Sequence, residues 1–192
     1  MNKGQKIVAG LVLGSGSLLG AMAMWERPPA EVAGGTPGPS VVYADKLAGG
    51  LPTVCSGHTD WKLRVGTPYT KEECDRIDKG NAEKYGLAII KCSGHTDTNP
   101  VFRNQYEFDA HTLNAINIGI AGKCGARSMK LLKAGRHEEA CDAIAHAPSG
   151  KPVWSYVKKK GVFVYVHGLY NRRLFERDWC LKPTPDKGGV LT

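Results

Sequence analysis

At 192 residues the chain is long enough for one domain with a real core. Its formal net charge of +8 suggests an anionic partner such as a nucleic acid, a membrane surface or a cell-wall polymer, with solubility alone as the plainer alternative. No arginine-rich tract or recognition-helix pattern supports nucleic acid, so the wall or envelope is the better reading.

From Ile7 to Trp25 nineteen residues carry no charge, and Lys3 and Lys6 precede them. A run of this length crosses a bilayer as a helix, with the lysines holding its N-terminus in the cytoplasm. Gly10, Gly14, Gly16, Gly20, Ser15, Ser17, Ala9, Ala21 and Ala23 make much of it small or weakly apolar, so lipid holds it less firmly than a leucine-rich helix. Ala21-Met22-Ala23 also has the small-x-small form of a signal-peptide cleavage site, a reading that stays open beside retention. The pairs Gly10/Gly14 and Gly16/Gly20 suit helix pairing, although small residues alone explain them. Either reading exports the rest of the chain. Residues 27–40 are rich in proline and glycine and read as a linker.

The stretch Tyr43 to His58 reads as two short extended runs joined by a turn. Val41–Tyr43 and Thr53–Cys55 supply the strands, and Gly49-Gly50 the turn. Such a hairpin brings Asp45 and Thr53 near each other across its ladder. A carboxylate and a hydroxyl converging at a cleft can grip one water for hydrolysis, given a separate acid to protonate the leaving group. The plainer alternative is a polar surface turn.

Leu63-Arg64-Val65 is expected to add a third strand. Thr70-Lys71-Glu72-Glu73 is a capping box opening a helix with Cys74, Ile77 and Tyr85 inward, and Asn99-Pro100 ends that packing. Gln105–Ala121 has helical spacing at Tyr106, Ala110, Leu113, Ile116 or Asn117, and Ile120, and is expected to be a buried central helix. Asn117 on that face needs partners, and a satisfied core amide is preferred to a substrate contact. Met129, Leu131 and Leu132 line a short helix that Gly135 can cap, and His137–Ala145 forms another, with His137 and His146 at the surface. Val153–Val166 reads as a β-hairpin around a Lys158-Lys159-Lys160-Gly161 turn. Leu169–Cys180 is the last helix, carrying Arg172, Arg173 and Glu176, and a tail starts at Pro183.

Several of these motifs together resemble one family. Tyr43-x-Asp45, a glycine-containing turn, then Thr53 followed by Gly57-His58-Thr59 resembles the active-site hairpin of the phage-type lysozymes, glycoside hydrolase family 24. Asn117-Ile118-Gly119, Ser128–Gly135, and Gly168-Leu169-Tyr170-Asn171-Arg172-Arg173 with Glu176 are similar to later motifs of that family, in the same order. The resemblance runs from Tyr43 to Cys180. It implies an α+β, lysozyme-like fold with a small β-hairpin lobe and a larger helical lobe, here preceded by an N-terminal transmembrane helix. The implied domains are 1–26 (anchor), 27–40 (linker), 41–182 (catalytic) and 183–192 (tail).

The activity implied is that of a peptidoglycan hydrolase cutting the β-1,4 bond between N-acetylmuramic acid and N-acetylglucosamine for host lysis. With the weak anchor, it is that of a signal-arrest-release endolysin. Such a protein is tethered to the host inner membrane, N-terminus in the cytoplasm, and is then released to the periplasm as a monomer acting on peptidoglycan. No cofactor and no nucleic acid are implied. The alternatives are a lysozyme-like wall-binding protein without turnover and a zinc-stabilised envelope protein.

In the family a glutamate at the end of the first helix is the acid, while the hairpin Asp and Thr position water; Asp45 and Thr53 match the latter roles. That glutamate lies about seven residues before the tyrosine, a spacing that lands on Thr36. Glu26, after Trp25 at the end of the apolar helix, and Glu31 remain as candidates, with Glu26 preferred. His58 and Asn117 are the candidate residues beside the substrate, and the family pattern makes His58 structural.

Six cysteines lie beyond the anchor: Cys55, Cys74, Cys92, Cys124, Cys141 and Cys180. In an exported protein they favour disulfides, for which fifteen pairings exist. The reading adopted is Cys141–Cys180 in the helical lobe and Cys55–Cys74 near the hairpin, leaving Cys92–Cys124. Cys-Ser-Gly-His-Thr-Asp occurs twice, at Cys55–Asp60 and Cys92–Asp97, and two Cys-x-x-His pairs could supply four zinc ligands. Disulfides are preferred to a metal, and the second copy has no account from sequence.

Overall fold

A computed structural model describes residues 6–26, 40–45 and 49–183. The elements in order are β1 (Lys6–Val8), β2 (Leu11–Leu13), α1 (Gly16–Glu26), β3 (Ser40–Val41), β4 (Tyr43–Asp45), β5 (Leu51–Val54), β6 (His58–Thr59), β7 (Pro68–Tyr69) and α2 (Lys71–Ser93). They continue with α3 (Gln105–Ile118), α4 (Ile120–Gly125), α5 (Arg127–Lys133), α6 (His137–Asp142), β8 (Tyr156–Lys159), β9 (Val162–Tyr165) and α7 (His167–Cys180). Two compact units result, Gly14–Lys84 and the combination of Met1–Leu13 with Tyr85–Thr192. The expected linker residues 27–39, with Glu31, and the tail residues 184–192 lie outside the described residues.

The Gly14–Lys84 unit holds the antiparallel sheet β4-β5-β6 and the pair β3-β7. Val42, Val54 and Cys55 are its buried apolar centre, with Leu63, Tyr69, Cys74 and Ile77 packed against them. The third strand is β6 rather than the expected Leu63–Val65, which is not a strand; Leu63 serves as a core contact instead. The capping box at the start of α2 is closed in both directions: Glu73 N–H donates to Thr70 Oγ1 at 3.2 Å, and Thr70 N–H donates to Glu73 Oε2 at 2.8 Å. Those bonds from Thr70 hold the Glu73 carboxyl below its ordinary pKa.

The other unit is centred on α3. Asn104 caps that helix, its Oδ1 accepting Glu107 N–H at 3.0 Å, and Gly119, at φ 82°, ends it. Every residue from Glu107 to Ala115 is buried, so α3 is enclosed all round rather than on one stripe. Its core includes Ile89, Phe102, Phe108, Met129 and Leu132, joined by Leu11 and Leu13 from the N-terminal segment.

That N-terminal segment departs from expectation. Instead of one long helix, Lys6–Leu13 forms a hairpin with Ile7 opposite Val12, turning at Ala9-Gly10 with φ 49° and 75°. Both central residues at positive φ define the tight turn whose twist suits a two-residue hairpin. Ser15 then caps α1, its Oγ accepting Leu18 N–H at 3.0 Å. The 11 residues of α1 span about 16 Å, roughly half a hydrocarbon core. Among the described residues no helix is long and apolar enough to cross a membrane.

Candidate active site

The β4–β5 ladder pairs Tyr43 with Thr53 and Asp45 with Leu51. Side chains alternate along a strand, so Tyr43, Asp45, Leu51 and Thr53 share one face, with Asp45 diagonal to Thr53. The strands are joined through Gly49 and Gly50, at φ 70° and 87°, and Gly50 N–H donates to the Asp45 carbonyl at 2.7 Å. Positive φ at two successive residues is why glycines occupy this end of the loop. Thr53 is buried, and its Oγ1 donates to the Leu51 carbonyl at 3.0 Å. With its proton committed there, the hydroxyl presents lone pairs and acts as an acceptor.

Glu26 is the final residue of α1, directly after Trp25, so it does stand at a helix end. Its side chain, and all of Glu31, lie outside the described residues.

His58 on β6 faces Val54, and its Nδ1 accepts from Asn81 Nδ2 of α2 at 3.4 Å. The contact ties the sheet to α2. Asn117 is not the buried amide expected: it is exposed at the last turn of α3. The buried amide is one turn earlier, at Asn114, which donates to Glu176 Oε2 at 2.8 Å and accepts from Lys123 Nζ at 2.9 Å. His137 and His146 are likewise not free surface residues. His137 Nδ1 donates to the buried carboxylate of Glu107 at 3.0 Å, and His146 joins Asp142 and the hydroxyl of Tyr170.

The cysteines form Cys55–Cys74, Cys92–Cys124 and Cys141–Cys180. Cys55 and Cys92 are each bonded to a different sulfur, so neither Cys-x-x-His pair offers a thiolate and the zinc alternative loses its ligands. Glu107 also approaches the Cys141–Cys180 bridge, whose sulfurs are equally spent.

Both copies of the hexapeptide are turns instead. Gly57 and Gly94 have φ 79° and 77°, the first between β5 and β6, the second at the end of α2. In the second copy His95 is buried. Its Nδ1 accepts Val101 N–H at 2.9 Å and Phe102 N–H at 3.2 Å, and its Nε2 donates to the Ala9 carbonyl at 3.0 Å. This set of partners requires the neutral imidazole with hydrogen on Nε2.

The sequence reading missed a buried polar network behind α3. Lys123 is fully buried and donates to Asn114 Oδ1 and to Ser128 Oγ at 3.0 Å. Glu176 Oε1 accepts from Arg173 Nη2 at 2.7 Å and Arg172 Nε at 3.1 Å. Burial lowers the Lys123 pKa to about 7, although the Glu176 charge opposes the shift. The Arg-Arg-x-x-Glu motif is therefore a brace between α7 and α3. Its spacing of three and four residues was the readable signal, whereas nothing in the sequence marks Lys123 as its partner.

A family model for phage lysozyme matches residues 39–176, a span that includes Asp45, Thr53 and Glu176 but neither Glu26 nor Glu31. A SAR-endolysin of Pseudomonas phage phiKMV is 28% identical over 142 residues, covering 74% of this chain and 79% of that protein. Among solved structures, the endolysin from Escherichia coli O157:H7 phage FAHEc1 is 26% identical with a TM-score of 0.65, over 88% of this chain and 92% of the other. The muramidase domain of SpmX from Asticaccaulis excentricus shares the fold at 21% identity, with a TM-score of 0.61 over 88% and 98% of the two chains. A hairpin bearing a carboxylate and an acceptor hydroxyl on one face thus lies within the matched span, and the chain belongs to the phage lysozyme family: it is a muramidase, a peptidoglycan hydrolase of the endolysin type serving host-cell lysis.

Proposed function

We propose that this enzyme cleaves the β-1,4 bond between N-acetylmuramic acid and N-acetylglucosamine with inversion. Asp45 acts as base, Thr53 positions the water and Glu26 acts as acid. The observation that carries the reading is the shared face of Asp45 and Thr53, with the threonine hydroxyl already committed as a donor. Water held between the two gives one hydrogen bond to the threonine oxygen and its reacting proton to Asp45 as its oxygen bonds to the anomeric carbon. The bond to the leaving oxygen breaks as the acid delivers a proton to that oxygen. No residue other than these needs to change protonation state.

The test is hydrolysis of purified peptidoglycan, followed as new reducing ends and in a zymogram. Asp45→Asn and Glu26→Gln are expected to lose activity by at least about a hundredfold, and Thr53→Val by somewhat less. Loss on Glu31→Gln with Glu26→Gln active would move the acid to Glu31. Full activity in the double glutamine variant would remove both. A parent protein that sediments with the wall but releases no reducing ends would establish binding without turnover.

The apolar N-terminus supports a tethered precursor in the host inner membrane that is later released to the periplasm. The likeness to a SAR-endolysin favours the same reading. In the folded chain this segment is spent as β1, β2 and α1, and α1 ends at the proposed acid, so a segment lying in lipid leaves Glu26 away from its helix end. The expected result is a membrane-bound inactive fraction converted to soluble active monomer without loss of mass. A shortened N-terminus beginning after Ala23 would show cleavage instead.

A further inference from the structure

Between Asp142 and Glu176 the chain carries no acidic residue, while Lys151, Lys158, Lys159 and Lys160 all fall in that interval. Three of these lysines occupy the end of the β8–β9 hairpin. The ladder pairs Tyr156 with Tyr165, Val157 with Val164, Lys158 with Phe163 and Lys159 with Val162. Lys160 and Gly161 make the turn at φ 49° and 86°. Residues opposite each other share a face, so Phe163 and Lys158 project on one side and Val162 and Lys159 on the other. Each side of the tip carries one apolar group and one ammonium.

Two strands alone are marginal in water. This hairpin is fastened at its base. Val166 N–H donates to the Ser155 carbonyl at 2.8 Å. The rings of Tyr156 and Tyr165 meet edge to face at 5.7 Å, and Tyr165 leans on Tyr170 of α7 at 6.1 Å. Toward the tip the apolar groups face solvent: Phe163 is 70% exposed and Val162 65%. The order along the hairpin is thus tyrosines at the base, then valines, then phenylalanine and lysines at the end.

We propose that the β8–β9 tip is a docking element for the surface of an anionic phospholipid bilayer. The charge is complementary, since three lysines in a stretch of sequence free of acidic residues match a plane of lipid phosphates. The exposed groups fit the acyl boundary: Val162 and Phe163 offer no hydrogen bond to a sugar, and lysine stems can lie along lipid while their ammonium groups reach the phosphates. Half-exposed tyrosines at the base sit at the depth where amphipathic rings are favoured. An anionic glycan would engage the lysines and leave the apolar tip in water. The element is a different hairpin from the proposed catalytic one, and its docking does not depend on turnover.

The test uses the full-length, disulfide-bonded protein in sedimentation with vesicles of phosphatidylethanolamine and phosphatidylglycerol, with phosphatidylcholine vesicles and purified wall sacculi as the other arms. Binding to the anionic vesicles is expected to weaken with salt. Replacing Lys158, Lys159 and Lys160 together by glutamine is expected to reduce it about a hundredfold, and Phe163→Ser about tenfold. Hydrolysis of soluble wall fragments should stay at the parental rate. A Phe163→Trp protein should show a component quenched by brominated acyl chains that the parent lacks. Equal vesicle binding by parent and variants would overturn the proposal by placing the contact elsewhere. So would loss of sacculus binding alone, which would make the wall the occupant, or loss of hydrolysis in the variants, which would assign the hairpin to the substrate cleft.

Discussion

The side-chain amide of Gln105 holds both backbone groups of Val12: its Oε1 accepts the Val12 N–H at 2.9 Å, and its Nε2 donates to the Val12 carbonyl at 3.0 Å. The outer edge of β2 is thereby closed by α3 in place of a third strand. The same amide also donates to Asp109 Oδ1 at 2.6 Å. Gln105→Leu would strand a donor and an acceptor in a partly buried place and is expected to cost about 2 kcal/mol. Gln105→Glu keeps the acceptor, loses the donor and sets a carboxylate beside Asp109, so it should cost more. Urea midpoints at constant slope would measure both; unchanged midpoints would show that the segment adds no stability to the folded chain.

Gly86 makes a second contact with that segment. A methyl added at Gly86 would lie 3.1 Å from Leu13 Cδ2 and 3.1 Å from Phe108 Cζ. Gly86→Ala in a helix interior would otherwise gain about 1 kcal/mol of propensity, yet the crowding is expected to make it destabilising by about 1–2 kcal/mol. If Leu13 is the obstacle, Leu13→Ala in the same chain should relieve the clash. The two changes together should then cost less than the sum of their separate effects. Additive costs would locate the strain at Phe108.

These contacts also explain why Lys6–Glu26 of the folded chain is not the single long helix expected from the sequence. Nineteen uncharged residues satisfy a hydropathy window whatever their backbone does, and the turn at Ala9-Gly10 and the cap at Ser15 are written in small residues that a membrane helix also tolerates. The β4–β5 hairpin was more legible because its β-branched strands and glycine turn are short-range signals. Asn117 was placed inward, where Asn114 belongs, since α3 is buried all round and periodicity has no exposed face to fix its phase. The repeated hexapeptide needed the fold: one spacing serves a strand turn in one copy and a helix end in the other.

Glu176 balances a cluster of cations that has no water to turn to. Arg173 and Glu176 are both fully buried, with Arg172 and Lys123 beside them. Removing one partner of a buried pair leaves the other charge uncompensated, so Glu176→Gln is expected to destabilise by about 3–5 kcal/mol. Replacing Arg172 should cost less, because Arg173 keeps the closer contact to the carboxylate. The measurement is chemical denaturation of oxidised protein, with the three disulfides intact in every variant. Equal losses for Glu176→Gln and Arg172→Gln would mean that packing, not charge, sets the cost.

Two buried bases, His111 on α3 and Lys123 on α4, give stability a definite pH dependence. Lys123 titrates near 7 in the folded protein, against 10.5 for its ordinary value, because burial disfavours the ammonium. Between those values the unfolded chain binds a proton that the folded chain does not, so stability rises with pH across the window. The slope from one such group approaches about 1.4 kcal/mol per pH unit and vanishes below about pH 7, where both states are protonated. His111 acts in the same sense at lower pH. Neither ring nitrogen has a hydrogen-bond partner among the described residues, and burial, reinforced by the Lys123 and His137 charges, holds its pKa well below 6.5. Acidification through 6.5 should therefore destabilise the fold further, as unfolded His111 takes up a proton. Denaturation midpoints measured from acid to alkaline pH should flatten above neutrality in Lys123→Met and below it in His111→Phe, each change leaving the other limb in place. A Lys123→Met protein that keeps the alkaline slope would assign that slope to another group and place the Lys123 ammonium at its ordinary pKa.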